Sequence, residues 1–158
     1  MKTFALTTLI AAGLALSSTA ALAAMDEATK EAVATCQAEK TAPRKGVEAC
    51  TTVLDKVKMG AKNTLAIHYY RGAFYSQLSD NDKARADYDA AIKAYETDPD
   101  KANWPVDFAG LAASSYALRA QIASKCQDAQ ADYQKAGVIS REVSDRTSYE
   151  KRARDACK

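Results

Sequence analysis

The sequence has few of the side chains from which enzymes and metal sites are usually built. His68 is the only histidine in 158 residues, which excludes a His-rich metal site of the usual kind. No two cysteines show the close Cys-x-x-Cys spacing of a zinc or redox site. A Gly-x-Ser-x-Gly elbow, a phosphate loop and a Gly-x-Gly-x-x-Gly turn are also missing. We therefore predict no catalytic residue, no metal and no cofactor.

Glycine and proline are scarce as well, with six and three residues, whereas alanine is abundant. This composition is typical of close-packed helices. An excess of charge is absent too, because the chain carries 22 Lys and Arg residues against 20 Asp and Glu residues. A nucleic acid or an anionic membrane surface calls for a clearly basic face, so neither is expected as the main partner.

The first residues follow the order of a secretory signal peptide. Lys2 supplies a positive charge, residues 4–16 are largely apolar, and small residues lead to Ala21 and Ala23. The apolar run is short for a membrane span, which needs about 20 residues. We expect cleavage after Ala23, with Ala24 as the alternative, and a mature domain over residues 24–158. No cysteine stands directly after the cleavage site, so we expect no lipid anchor. Together with the short apolar run, this predicts no stable membrane insertion and a periplasmic location.

Two helical patterns fill residues 65–99, separated by a turn-forming segment at residues 79–82. His68, Gly72 and Tyr75 follow one another at helical spacing in the first pattern. The second pattern has the same spacing at Ala84, Tyr88, Ala91 and Tyr95. Two helices with so short a connection are expected to form an antiparallel hairpin.

This segment resembles the tetratricopeptide repeat (TPR), a 34-residue helix-turn-helix unit. Counted from Leu65, five residues agree with the motif in one register, namely small or aromatic residues at positions 8, 11, 20, 24 and 27: Gly72, Tyr75, Ala84, Tyr88 and Ala91. The pattern departs from the motif at His68 and Arg71, which replace a large aromatic residue and a leucine.

The pattern recurs on both sides of this central unit. Residues 128–136 (DAQADYQKA) match residues 83–91 (KARADYDAA), and residues 46–54 resemble a degenerate second helix that would follow a helix over residues 26–40. The resemblance therefore implies an all-α fold of about three antiparallel helix-turn-helix repeats, with a C-terminal capping helix over residues 144–157. Stacked repeats need about three units to bury a continuous core. Trp104, in the linker at residues 98–105, is expected to pack over the junction between repeats, with ligand contact as the alternative.

Four cysteines in an exported chain of this size predict two disulfides. Within the repeat layout, Cys36 and Cys50 lie seven residues on either side of Pro43, where the chain is expected to turn. Cys126 and Cys157 flank a second turn, expected near residues 137–141. We therefore predict Cys36–Cys50 and Cys126–Cys157 among the three possible connectivities, each contributing roughly 3 kcal/mol in the chain-entropy model.

The remaining polar groups suggest ordinary structural roles. In a TPR hairpin His68 occupies a core position, so packing is favoured over a role as a base or ligand. Asp80 and Asp82 are expected to cap a helix, and Asp87 and Asp89 to face water. The basic residues 151, 152 and 154 alternate with acidic ones, which predicts a solvated face.

In TPR proteins the first helix of each unit lines a groove that receives a peptide or a partner helix. Carried over to this chain, the groove positions of the central unit are Ala66, Tyr69, Ala73, Ser76 and Gln77, and those of the third unit are Leu111, Ser114, Leu118, Gln121 and Ile122. This lining lacks the basic residues that clamp a terminal carboxylate. The partner-binding residues are expected to be Tyr69, Ala73, Gln77, Ser114, Leu118 and Gln121, with Tyr69 either an anchor or ordinary packing against the next repeat.

The resemblance implies a non-catalytic periplasmic scaffold or adaptor for a protein or peptide of the cell envelope. Two alternatives stay open. One is a small exported hydrolase acting in the envelope, and the other is a purely structural subunit of an envelope complex. The partner, the pathway and the oligomeric state do not follow from the residues.

Overall fold

The computed structural model describes residues 25–38, 40–140 and 142–158, so the predicted signal peptide lies outside the described residues. The described part is all-α, as predicted, and contains no strand. Its seven α-helices are α1 (Glu27–Gln37), α2 (Pro43–Lys56), α3 (Ala61–Gln77), α4 (Asn81–Glu96), α5 (Val106–Gln121), α6 (Cys126–Ile139) and α7 (Val143–Asp155), with a 3-10 turn at Lys101–Asn103. None of these helices has the length and apolarity needed to cross a bilayer.

Local signals in the sequence define the helix ends. The Asp26 side chain accepts a hydrogen bond from the Thr29 backbone N–H at the start of α1, at 2.7 Å. Pro43 occupies the first turn of α2, where its missing N–H costs nothing. Asp80 caps α4 by accepting from the backbone N–H of Lys83, as predicted for this turn. Helix α1 is shorter than the predicted 26–40, because the backbone is already extended at Ala38.

Consecutive helices pack against each other, with the most extensive contacts between α3 and α4 and between α5 and α6. In addition α1 contacts α3, and α3 contacts α5, although a whole helix separates the members of each pair along the chain. Helices α1, α3 and α5 therefore lie side by side. Helix α7 packs on α6 at the end of the series.

The residues predicted to hold α3 against α4 meet as expected. Ala84, Tyr88 and Ala91 are all fully buried. A Cβ atom added to Gly72 would lie only 2.8 Å from Cε1 of Tyr88, so the absence of a side chain at Gly72 is what admits the tyrosine ring. The hydroxyl groups of Tyr88 and Ser76 are hydrogen bonded at 2.9 Å, which fixes that ring.

Trp104 packs in the core, as its structural interpretation predicts. It is fully buried, and its ring meets Tyr95 and Phe108 edge-on at centroid distances of 5.3 and 6.2 Å. The linker that carries it therefore joins α4 to α5 through a shared apolar cluster with Leu65 and Ala112.

Both predicted disulfides are confirmed. Cys36 is bonded to Cys50, and Cys126 is bonded to Cys157. The first joins α1 to α2, whereas the second joins the first residue of α6 to the segment just beyond α7. Helix α6 continues to Ile139 and α7 begins at Val143, so the connection between these helices comes later than the turn expected near residues 137–141.

Candidate functional site

The six residues predicted to bind a partner lie around two hollows on the side formed by α3 and α5. Tyr69, Ala73 and Gln77 line the first hollow. The second is lined by Ser114, Leu118, Gln121 and, again, Tyr69. Because Tyr69 borders both, the two hollows adjoin, and we refer to them together as the groove. The structure brings the six residues around these two adjoining hollows, and partner binding there stays a prediction.

The first hollow has a volume of about 320 Å³ and an uncharged, aromatic lining. Phe74 and Leu111 supply apolar surface in addition to the predicted residues. Tyr70, the next residue in the sequence, also borders it. The rings of Tyr69 and Tyr70 meet edge-on with centroids 5.3 Å apart. A lining of this kind suits an apolar or aromatic side chain.

The second hollow is smaller, about 200 Å³, and one of its walls comes from α7. Tyr149 and Arg152 of that helix face the α5 residues across it. The Arg152 guanidinium lies over the Tyr133 ring, 5.9 Å from its centroid. The C-terminal helix therefore closes one end of the groove and leaves the Ala73 end open.

Three other residues predicted at the groove lie elsewhere. Ala66 is buried in the cluster around Trp104, with 1% of its surface exposed. Ser76 turns toward α4 to meet Tyr88. Ile122 lies beyond the end of α5, where its carbonyl accepts a hydrogen bond from Arg85. Ala66 and Ser76 therefore lie on other faces of α3, and Ile122 lies past the last residue of α5.

A buried polar cluster joins α2, α3 and α4, and it corrects the expectation that Asp87 faces water. Asp87 is only 3% exposed. Its Oδ1 lies 2.7 Å from His68 Nδ1 and accepts from Arg71 Nη2 at 2.8 Å, and its Oδ2 accepts from Arg71 Nε at 2.9 Å. Arg71 also donates from Nη1 to the Thr51 hydroxyl at 3.1 Å. The two departures from the TPR motif, His68 and Arg71, are thus the partners of one buried carboxylate.

The partners of Asp87 favour the ionised form of its carboxyl group. Burial alone would raise the pKa of Asp87, but the hydrogen bonds from His68 and Arg71 outweigh it, so the pKa lies below its ordinary value. Burial likewise opposes the charge on Arg71, yet the bonds to Asp87 raise the pKa of Arg71. Because both oxygens of Asp87 are bonded, the cluster connects helices and leaves no carboxylate oxygen without a partner.

The same arrangement recurs one helix pair later. Arg119 of α5 donates to both oxygens of Asp132 on α6, at 2.8 and 2.6 Å, and to Asp89 of α4 at 2.5 Å. Asp132 precedes Tyr133 just as Asp87 precedes Tyr88, and Asp89 and Thr51 occupy equivalent positions after Tyr88 and Cys50. Each arginine therefore bonds the second helix of its own pair and the second helix of the preceding pair.

Sequence reasoning missed these arginine bridges, although the recurring Ala-Asp-Tyr at residues 86–88 and 131–133 could have indicated them.

Across the described part of the chain, no three His, Cys, Asp or Glu side chains come together as they would around a metal ion. Comparison with protein-family models, with curated proteins and with solved structures gives no match.

Proposed function

We propose that the protein is a TPR-type scaffold of the periplasm that binds a protein or peptide partner in the groove, without catalysis and without a cofactor. The observation that carries the proposal is the grouping of the six predicted residues around Tyr69. Side-by-side packing of α1, α3 and α5 supports it, because a groove needs the first helices of successive units to be neighbours.

The recurring arginine bridges support a repeat organisation independently of the motif. Arg71 and Arg119 make equivalent bonds to equivalent positions of two successive helix pairs. In a repeat architecture each unit contacts its neighbours through the same type of interface. Two disulfides and a signal-like N-terminus support the exported location, since disulfides persist in oxidising compartments.

The chemistry of the partner follows from the lining. The first hollow offers Tyr69, Phe74 and Leu111 without any charged side chain, so an aliphatic or aromatic side chain of the partner would be buried there. Gln77, Ser114 and Gln121 can hydrogen bond to the partner's backbone. We propose a short peptide segment with at least one large apolar residue as the bound element.

Photo-crosslinking in intact cells tests the proposal. A photoreactive amino acid replaces Ala73 in the groove or, as the matched control, Ala86 on the exposed side of α4. We expect a discrete crosslinked partner from position 73 only, and we expect Tyr69→Ala and Leu118→Ala to decrease it about tenfold or more, as loss of an interface anchor does. Tyr75→Ala removes another half-buried tyrosine of α3 that does not line the groove, and should leave the crosslink unchanged.

Equal crosslinking from positions 73 and 86, or insensitivity to both groove substitutions, would contradict the groove assignment. Circular dichroism of each variant separates loss of binding from loss of folding. Crosslinks confined to position 86 would instead favour a structural subunit that docks through its outer helices.

A further inference from the structure

The two disulfides differ in their access to solvent. Cys36 and Cys50 are both 0% exposed, and they lie within the apolar cluster of α1, α2 and α3. Cys157 is exposed and Cys126 is half-buried. Thiol–disulfide exchange requires a thiolate to reach a sulfur atom in line with the bond. A reductant can therefore reach the Cys126–Cys157 bond in the folded protein, whereas the Cys36–Cys50 bond is shielded.

Helix α7, which this accessible bond holds, has little apolar surface in the core. Ala153 is the buried residue among its described side chains, and Tyr149 is half-buried beside it. Between α6 and α7 lies a further hollow of about 580 Å³ that reaches Val138, itself 83% exposed. The apolar side chains that α7 buries are few, so burial contributes little to its docking, because hydrophobic stabilisation scales with the apolar area that is buried.

We propose that α7 is a removable wall of the groove, held by the Cys126–Cys157 disulfide and released when a dithiol reductant opens that bond. The proposal concerns regulation of the proposed groove and so rests on the proposed function. Tyr149 and Arg152 border the second hollow, so departure of α7 removes one wall of that hollow and widens the groove beside Leu118 and Gln121.

One thiolate of the dithiol attacks the sulfur of the exposed residue Cys157, the S–S bond breaks, and Cys126 leaves as a thiolate that takes up a proton. The second thiol of the reductant then attacks the mixed disulfide and releases Cys157. Two electrons pass to the protein disulfide, and the dithiol is oxidised to its own disulfide.

Hydrogen exchange on the oxidised mature protein tests the release without any partner. The protein is equilibrated in dithiothreitol buffers of increasing reducing strength and its free thiols are alkylated. Peptide mass spectrometry then identifies which cysteines have been reduced. We expect Cys126 and Cys157 to be alkylated first, while Cys36–Cys50 stays intact. Backbone amides of α7 should then exchange about 500-fold faster, the factor that the chain-entropy model gives for a closed loop of 31 residues, while those of α3 and α4 are unchanged.

Serine variants give a control that needs no reductant. Cys126→Ser with Cys157→Ser should reproduce the fast exchange of α7, and Cys36→Ser with Cys50→Ser should not. Unchanged protection of α7 after reduction, or simultaneous opening of both disulfides with unfolding of the whole chain, would overturn the proposal.

Crosslinking from Leu118 links the release to binding. In the Cys126→Ser/Cys157→Ser variant, a photoreactive residue at position 118 should capture more partner, and one at position 73 the same amount as before. If α7 is released but crosslinking stays unchanged at position 118 and normal at position 73, the regulatory role of α7 is refuted. The proposed function in partner binding would still stand. Absence of crosslinks at both positions would refute the proposed function, and the exchange rates alone would then decide whether α7 is released.

Discussion

Replacing Gly72 with alanine tests the close approach of α3 and α4 on which the position of the groove depends. In a helix, alanine is favoured over glycine by about 1 kcal/mol. The new Cβ would, however, lie 2.8 Å from Cε1 and 3.0 Å from Cδ1 of Tyr88. That ring is fully buried, and its hydroxyl is bonded to Ser76, so the helices must separate. Overpacking of this kind costs roughly 2–3 kcal/mol, and we expect a net loss of about 1–2 kcal/mol.

Gly110 provides the matched control for this substitution. It also lies within a helix, α5, but a Cβ added there meets no atom within 4 Å. Gly110→Ala should therefore stabilise the protein by about 0.5–1 kcal/mol through helix propensity alone. Urea unfolding with both disulfides intact, followed by circular dichroism, measures the two changes. A Gly72→Ala protein as stable as wild type, or more stable, would refute the packing of Tyr88 against Gly72.

Three further outcomes are expected. Asp87→Asn should destabilise the protein by about 3 kcal/mol at pH 7, because it breaks a buried ion pair. Folding lowers the pKa of Asp87, so the ionised carboxylate stabilises the fold fully above the ordinary pKa of 3.8, and this stabilisation is lost as the pH falls through the lowered pKa. Urea unfolding from pH 7 to pH 2 should therefore show the free energies of unfolding of the wild type and Asp87→Asn converging. A double-mutant cycle of Arg119→Ala and Asp132→Ala, read from unfolding midpoints, should give a coupling of at least about 1 kcal/mol. Trp104→Ala should lower stability by about 3–5 kcal/mol in the same assay, and in the wild type an aqueous quencher such as iodide should leave Trp104 fluorescence unchanged until the chain unfolds.

The helical hairpins and both disulfide pairings could be predicted because the signals for them are local or symmetric in sequence. Ala84, Tyr88 and Ala91 follow one another at the three- and four-residue steps of a helix. Cys36 and Cys50 flank Pro43 at equal distances, so a single turn brings them together. These predictions needed no knowledge of which helix lies beside which.

The buried carboxylates and the α7 wall could not be predicted in the same way. Asp87 and Asp89 are both acidic and two residues apart on one helix, yet one is buried and the other is 52% exposed at its side chain. That difference depends on which helix covers each face, which is long-range information. The position of Arg152 beside the groove likewise depends on how α7 returns along α6.

The arginine bridges also have a consequence for changing the number of helix pairs in the chain. The contact that Arg119 makes outside its own helix pair ends on Asp89, which is largely exposed, and the corresponding contact of Arg71 ends on a threonine hydroxyl. If a neighbouring helix pair were lost, water could replace the bond between the arginine and its acceptor in that pair at little cost. Each arginine would still bond the carboxylate of its own helix pair. Helix pairs could therefore be inserted or deleted at these boundaries without leaving a buried charge uncompensated, which makes the chain a practical starting point for modular redesign.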